Sequence, residues 1–550
     1  DVYKRPGADK MNRKNASFVR QATFLMVAGL IVRIIGLLYR TPMKATIGGL
    51  GYGYYGYAYN VYNILLLISG YSIPVAVSKL MAERIAKKQY RNAQRVFWGA
   101  VLYILIIGSL AGLVAFVFAR QLLPAGADGA VMALRILAPV ILLAGLLGVL
   151  RGYFQANNNM MPTSVSQILE QILNAVVSVL AAWMLVKSFG STPEAKASYG
   201  AAGGTLGTAA GVLMGILFML LVFAVNRKVI KKRILRDRTE HTESASEIAR
   251  VILLMMTPVI FSTFIYNASA YIDQSIFSPL MLAKGAAADD ITTIYGVFSG
   301  QYMVLINIPV ALANATSTAM MPQITGNYAT GAYEEARNKI HEAIRMTMFI
   351  AIPAAVGLAV LAFPIMQILF PGSPDEAGWL LVAGAVSVLF YSLSTITNGV
   401  LQGIGKQHLP LRNASISLVI NVAVLAALTW FTNLGIYSVL ASTVAYSLSM
   451  CILNQLSVRK HLDYRNEFLQ TYGKPLAAAA GMGIAAWIIY YGLSIVVPSA
   501  LICLIPAVLL AILIYLILFE VVTKMKEEEL RGYPMGGLIV KVLKALRVLR

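Results

Sequence analysis

Acidic residues are scarce in this chain: 24 Asp and Glu stand against 45 Lys and Arg, and charged residues make up only 13% of its 550 positions. A water-facing globular fold of this length would carry about a quarter charged residues, so that class is excluded. Cysteine is nearly absent. Cys451 and Cys503 both lie inside apolar segments, which rules out a disulfide framework. Histidine is equally sparse, with His241, His341, His408 and His461 scattered at no metal-ligand spacing, and no metal site is expected. Long polar segments are missing too. The longest run about 20 residues, too short for a separate catalytic domain with clustered carboxylates or metal ligands, so an enzyme is not expected. Asp289 and Asp290 come nearest to such a cluster and read as a solvated outer turn.

What remains is apolar. Hydrophobic residues reach 58% and mean hydropathy is +0.71, which describes an all-α polytopic membrane protein. About fourteen apolar stretches are each long enough to span a bilayer. The first, beginning near residue 18, is too long for a signal-peptide core and is expected to stay as a span. Basic residues crowd into alternate loops: Lys4, Arg5, Lys10, Arg13 and Lys14 before the first span, Arg84, Lys87, Lys88, Arg91 and Arg95 after the second, and Arg227 to Arg238 after the sixth. By the positive-inside rule both termini then lie in the cytoplasm. The net charge of +21 is accounted for by these loops, and nucleic acid is not an expected partner because no soluble basic face exists.

An internal repeat organises the spans. Residues 152–174 and 399–421 share Gly152 with Gly399, Gln155 with Gln402 and Asn174 with Asn421 at one constant offset, and Pro124 and Pro371 obey it as well. IPVA occurs at 73–76 and at 308–311, placing Pro74 and Pro309 in the second helix of each half. The expected organisation is a basic N-terminus (1–17), a first six-span half (18–226), a basic linker (227–249), a second half (250–457), two extra spans (475–522) and an amphipathic tail (523–550). Six spans per repeat give both halves one orientation, the plan of an alternating-access transporter with its substrate held between the halves. Pro74 and Pro309 are candidates for a hinge or gate, or for static kinks that improve packing.

Intramembrane ionisable residues mark the candidate site, because a charge at the bilayer centre costs about 3 kcal/mol. Arg33 interrupts the run at 24–38, and Arg40 follows two turns later on the same side, where it faces the cavity or snorkels to headgroups. Arg135 and Lys79 sit within or at the edges of spans, against Glu170 and Asp273. The cationic excess favours an anionic substrate, and guanidinium groups suit the paired oxygens of pyrophosphate. Glu170 either pairs with one of these arginines or binds a coupling cation. Asn174 extends a polar stripe from Glu170, and Asn60, Asn63, Gln301, Asn307 and Asn314 either line the same cavity or join helices.

Residues 32–40 (VRIIGLLYR), the Gly- and Tyr-rich segment 47–59 (IGGLGYGYYGYAY) and residues 71–80 (YSIPVAVSKL) resemble the Gram-positive SpoVB and MurJ-like branch of the multidrug, oligosaccharidyl-lipid and polysaccharide (MOP) exporter superfamily. The likeness covers nearly the whole chain. It implies a flippase of the bacterial cytoplasmic membrane for an undecaprenyl-pyrophosphate-linked saccharide, with lipid II, the peptidoglycan precursor, first in line. Another polysaccharide or teichoic precursor, and drug antiport coupled to a cation, are the alternatives. Arg33 with Gly36 fits the branch's first-helix pattern. A second Arg expected six residues after the first is replaced by Tyr39, with Arg40 one later, and the eighth span carries no Arg. The resemblance implies a groove for the lipid tail at spans thirteen and fourteen. It leaves a coupling Na+ or H+, or the membrane potential, as the driver, and membrane lipids as the surroundings of a monomer. The tail at 536–550 spaces Lys541, Lys544, Arg547 and Arg550 among aliphatic residues, as an interfacial helix on an anionic leaflet does.

Overall fold

The computed structural model describes residues 28–550 apart from 30, 70–72, 158, 236, 238, 240–241, 465–466, 532, 534–535 and 550. The basic N-terminus and the start of the first span lie outside the described residues, as do Arg236, Arg238 and His241. The described residues form an all-helical membrane protein. Ten helices are long and apolar enough to cross a bilayer, and a pair bent by 46°, Asp375–Gly384 with Ser387–Gly403, makes an eleventh if counted as one span. Packing divides the chain into two compact units, Asp1–Leu282 with Ala286–Gly296, and Ala283–Gly285 with Val297–Arg550. Helix ends that carry the basic loops are called inner below.

In the first unit, α1 (Arg40–Ser69) breaks at Gly48, whose φ of 75° lies in the left-handed region that glycine enters without strain. α2 (Ile73–Ala86), α3 (Tyr90–Val117), α4 (Val131–Ala156), α5 (Met161–Phe189) and α6 (Pro193–Leu235) complete the first half. With lipid outside and no hydrophobic drive between apolar helices, close backbone approach decides which pairs associate. α6 supplies it against α5. A methyl group on Gly203 would stand 2.4 Å from the Ala182 Cα, one on Gly207 2.5 Å from the Asn174 carbonyl oxygen, and one on Gly211 2.6 Å from that of Glu170. Pro74 falls on the second residue of α2, where a missing amide hydrogen removes no helical bond, and Gly152 of α4 fits against its carbonyl.

The linker after α6 is pinned to the inner ends of α2 and α3. Arg84 donates from Nε to both Glu243 oxygens at 3.0 and 3.1 Å, and Asn92 Oδ1 accepts from the Glu243 amide at 3.0 Å. Burial would raise the Asp237 carboxyl, but hydrogen bonds from Thr239 and the Arg91 amide hold it below the usual range. α7 (Ala245–Asn267) then starts on a capping box between Ser244 and Glu247. With α8 (Ser269–Ala283) and α9 (Ala288–Val297) it packs largely in the first unit. The repeat assigns residues from 250 onward to the second half, so the repeat boundary and the packing boundary differ.

The second unit continues through a single π-turn at Phe298–Tyr302 into α10 (Met303–Ala329), followed by α11 (Tyr333–Val360), α12 (Asp375–Gly384), α13 (Ser387–Gly403), α14 (His408–Phe431) and α15 (Ile436–Leu462). The offset that links Gly152 with Gly399 also carries the start of α5, Met161, onto the start of α14, His408. Lys284 donates to the carbonyls of Thr429 and Thr432, satisfying the end of α14. α16 (Lys474–Val496) and α17 (Ala500–Thr523) are the added pair. The small face of α16, with Ala479, Gly483 and Ala486, is buried, and Gly483 meets Val356 of α11. Trp487, Ile488 and Ile495 face outward. The tail helix α18 (Gly536–Ala545) departs from the interfacial expectation: Ile539, Val540 and Leu543 are buried against protein, and Lys544 pairs with Glu527 at 2.6 Å. Leu538, on its other side, is exposed.

Candidate functional site

Arg40 lies just before the Gly48 break, and the break brings the later part of α1 alongside it. There Tyr52, Tyr55, Tyr59 and Tyr62 recur at three- and four-residue spacing on one helix face. Arg40 donates to the Tyr52 hydroxyl, and Tyr39, Tyr55 and Tyr59 are its other electrostatic neighbours. The Tyr39 and Tyr55 hydroxyls are 3.3 Å apart, and the Tyr55 and Tyr59 rings stack at 5.5 Å. Phenolic hydroxyls solvate a guanidinium without neutralising it. The cluster therefore offers an anion both N–H and O–H donors in a low-dielectric setting.

The ring of phenols runs on to Glu170, whose carboxylate influences Tyr59 and Tyr62. Glu170 accepts from Arg151 at 2.6 Å, and Arg151 Nε donates to Ser166 Oγ at 3.0 Å. Arg151 is the site residue that sequence reading missed. It follows the apolar run that ends at Leu150, and α4 carries on past it to Ala156. One turn along α5, Asn174 accepts from Ser178 at 3.0 Å and lies under Gly207 and Gly211, so it joins α5 to α6.

The remaining candidates are dispersed. Arg33 and Lys79 are exposed, and Arg135 is exposed at one end of α4 with its guanidinium 5.5 Å above the Phe116 ring. None of these three is enclosed by the phenol ring. Asn60 donates to Gln274 at 2.9 Å. Asp273 is 2% exposed, on α8 near Tyr295. Pro309 is buried in α10, Gln301 accepts from Ser373, and Asn307 and Asn314 are exposed. Asn60 belongs to a seam within the first unit. Gly53 lets α1 approach so closely that a methyl group there would be 2.3 Å from the Thr292 carbonyl oxygen. Tyr57 reaches Ser278 at 2.8 Å, and its ring stacks on Tyr295 at 5.1 Å. Among the described residues no three His, Cys, Asp or Glu side chains cluster as metal ligands.

Comparison with known proteins identifies the family. The family model described as polysaccharide biosynthesis protein matches residues 18–328, and a MatE model matches residues 299–428. The lipid II flippase MurJ of Bacillus subtilis is 25% identical over 497 residues, covering 86% of this chain and 89% of that protein. Stage V sporulation protein B of the same organism is 24% identical over 95% of this chain and 99% of its own length. Among solved structures, a lipid II flippase MurJ in an inward closed conformation shares the fold with a TM-score of 0.62 at 16% identity, over 92% of this chain and 98% of that one. The matched length exceeds half the chain, and the helical architecture agrees with it: this chain belongs to the polysaccharide biosynthesis protein family of the MOP superfamily of membrane transporters.

Proposed function

We propose that this chain is a flippase that moves an undecaprenyl-pyrophosphate-linked saccharide, lipid II foremost, across the bacterial cytoplasmic membrane by alternating access. The observation that carries the reading is Arg40, a guanidinium in a membrane helix surrounded by the hydroxyls of Tyr39, Tyr52, Tyr55 and Tyr59. Guanidinium matches the paired oxygens of a phosphate bidentately, and an intramembrane cation costs stability unless it has a task. Relatives named as lipid II flippases at about a quarter identity support the same substrate class. In this reading the polyprenyl tail stays in lipid while the headgroup crosses, the chain acts as a monomer with both termini inside, and Na+, H+ or the membrane potential drives the cycle.

A second reading, antiport of a cationic compound, is favoured by the MatE match at residues 299–428. It needs a membrane acid that loads and releases a cation. Glu170 is already engaged by Arg151, so Asp273 is the acid that reading would test. The deciding experiment replaces the essential lipid II flippase of a bacterium with this chain and compares it with Arg40→Ala and Arg33→Ala, with membrane abundance matched. Survival that requires Arg40 supports the flippase. Death at full abundance of the unaltered chain would refute lipid II as the substrate and direct the search to another undecaprenyl-linked saccharide or to antiport.

A further inference from the structure

A second polar cleft, apart from the phenol ring, opens at the inner ends of α2, α3, α4 and α6. It encloses about 150 Å³ and is lined by Met81, Phe154, Val229 and Ile230 below and by Gln94, Asn157, Asn226 and Arg233 at its polar side. Arg233, itself exposed, donates to Asn157 Oδ1 at 2.9 Å, while the Asn157 and Asn226 amides each donate one hydrogen bond to a carbonyl of their own helix, Tyr153 and Val222. Such a volume is well below the range of about 300–1,000 Å³ that encloses a whole drug-sized ligand, so the cleft takes one small group and not a saccharide.

The surroundings identify the group. Leu217, Leu221, Val225 and Val229 recur every four residues along α6, each more than half exposed, and this lipid-facing stripe ends at the cleft because Val229 belongs to both. Over the same turns α6 becomes basic, with Arg227, Lys228, Lys231 and Lys232 all exposed. An exposed apolar track that ends at an Arg and a set of amides, beside four more cations, matches one lipid molecule, its acyl chain on the stripe and its phosphate in the cleft. The geometry points to a binding site for the phosphate headgroup of an anionic phospholipid of the inner leaflet, held by Arg233, Asn157 and Asn226. The site serves the protein's own membrane lipid and does not depend on which substrate is carried.

The test is native mass spectrometry of the purified full chain titrated with phosphatidylglycerol, phosphatidylcholine or inorganic phosphate. The expected result is a phosphatidylglycerol affinity about tenfold above that for phosphatidylcholine, whose choline cation offsets the same phosphate beside the cations of α6, and insensitivity to inorganic phosphate. Arg233→Gln abolishes that preference. Asn226→Leu, which fills the cleft without changing charge, abolishes it too and decides the matter if the first variant does not fold. Equal retention of the two lipids, a preference that survives both substitutions, or displacement of the lipid by inorganic phosphate at equal concentration would overturn the assignment.

Discussion

Removing either partner of the Arg151–Glu170 pair measures how firmly α4 is tied to α5. The closest N···O distance is 2.6 Å, and the side chains keep 15% and 27% exposure. Stranding one member of a fully buried pair costs about 3–5 kcal/mol, and an exposed pair contributes about 0–1 kcal/mol. Partial exposure puts each of Arg151→Ala and Glu170→Ala at about 2 kcal/mol. Both substitutions remove the same contact, so the double variant should lose about 1–2 kcal/mol less than the sum of the single losses. Unfolding of the purified protein in mixed micelles of increasing SDS content gives the three values. A coupling energy below about 0.5 kcal/mol would mean that the two residues act independently and that the pair does not hold the helices. Glu170→Gln, which still accepts from Arg151 and keeps its shape, should retain transport. Loss of transport at unchanged stability would instead make Glu170 a carrier of the coupling ion.

Gly207→Ala should destabilise the first unit by about 1–3 kcal/mol, because the new methyl group would fall 2.0 Å from Ser178 Oγ and 2.5 Å from a backbone oxygen, and unfolding in SDS would show it. In a background with Cys451 and Cys503 replaced, Gly49→Cys with Thr293→Cys should form a disulfide on oxidation, since a Cβ on Gly49 lies 2.9 Å from Thr293 Cγ2. If the seam must part during the cycle, oxidation stops transport and reduction restores it; undiminished transport by fully crosslinked protein would make the seam static. The His341 ring lies tilted against that of Tyr464 with centroids 4.5 Å apart, and burial followed by the nearby Arg345 holds its imidazole below the usual range. The unfolded chain therefore binds the extra proton first, so stability should fall as pH drops below about 6.5, and His341→Gln should flatten that slope in thermal unfolding scans.

Hydropathy carried the fold, because lipid permits few alternatives to helices. The site was only partly legible. Arg33 and Arg40 look alike in sequence, seven residues apart and on one side of an ideal helix. The helix is interrupted at Tyr39 and turns at Gly48, so Arg40 faces tyrosines that follow it in the chain while Arg33 is exposed. Periodicity assumes a continuous helix, and a glycine break is a local event that hydropathy averages away. Arg151 was lost for a related reason: a cation at the end of an apolar run reads as loop until the helix is seen to continue.

The difference between the repeat boundary and the packing boundary follows from what each records. A repeat in the sequence preserves ancestry, so it survives even where contacts have been redistributed. Packing follows surfaces, and α8 and α9 present Ser278, Thr292 and Gly296 to the glycines and tyrosines of α1, while Glu243 fixes the start of α7 to Arg84. Residues 250–282 and 286–296 therefore share the first unit's contacts, although the repeat assigns them to the second half. The chain leaves the first unit at Ala283–Gly285, where Gly285 has a φ of 88°, and again at Val297, just before the π-turn at Phe298–Tyr302. Gly285→Ala, which penalises that φ, should lower stability in SDS unfolding by about 1–2 kcal/mol, and an unchanged midpoint would show that the position tolerates a side chain.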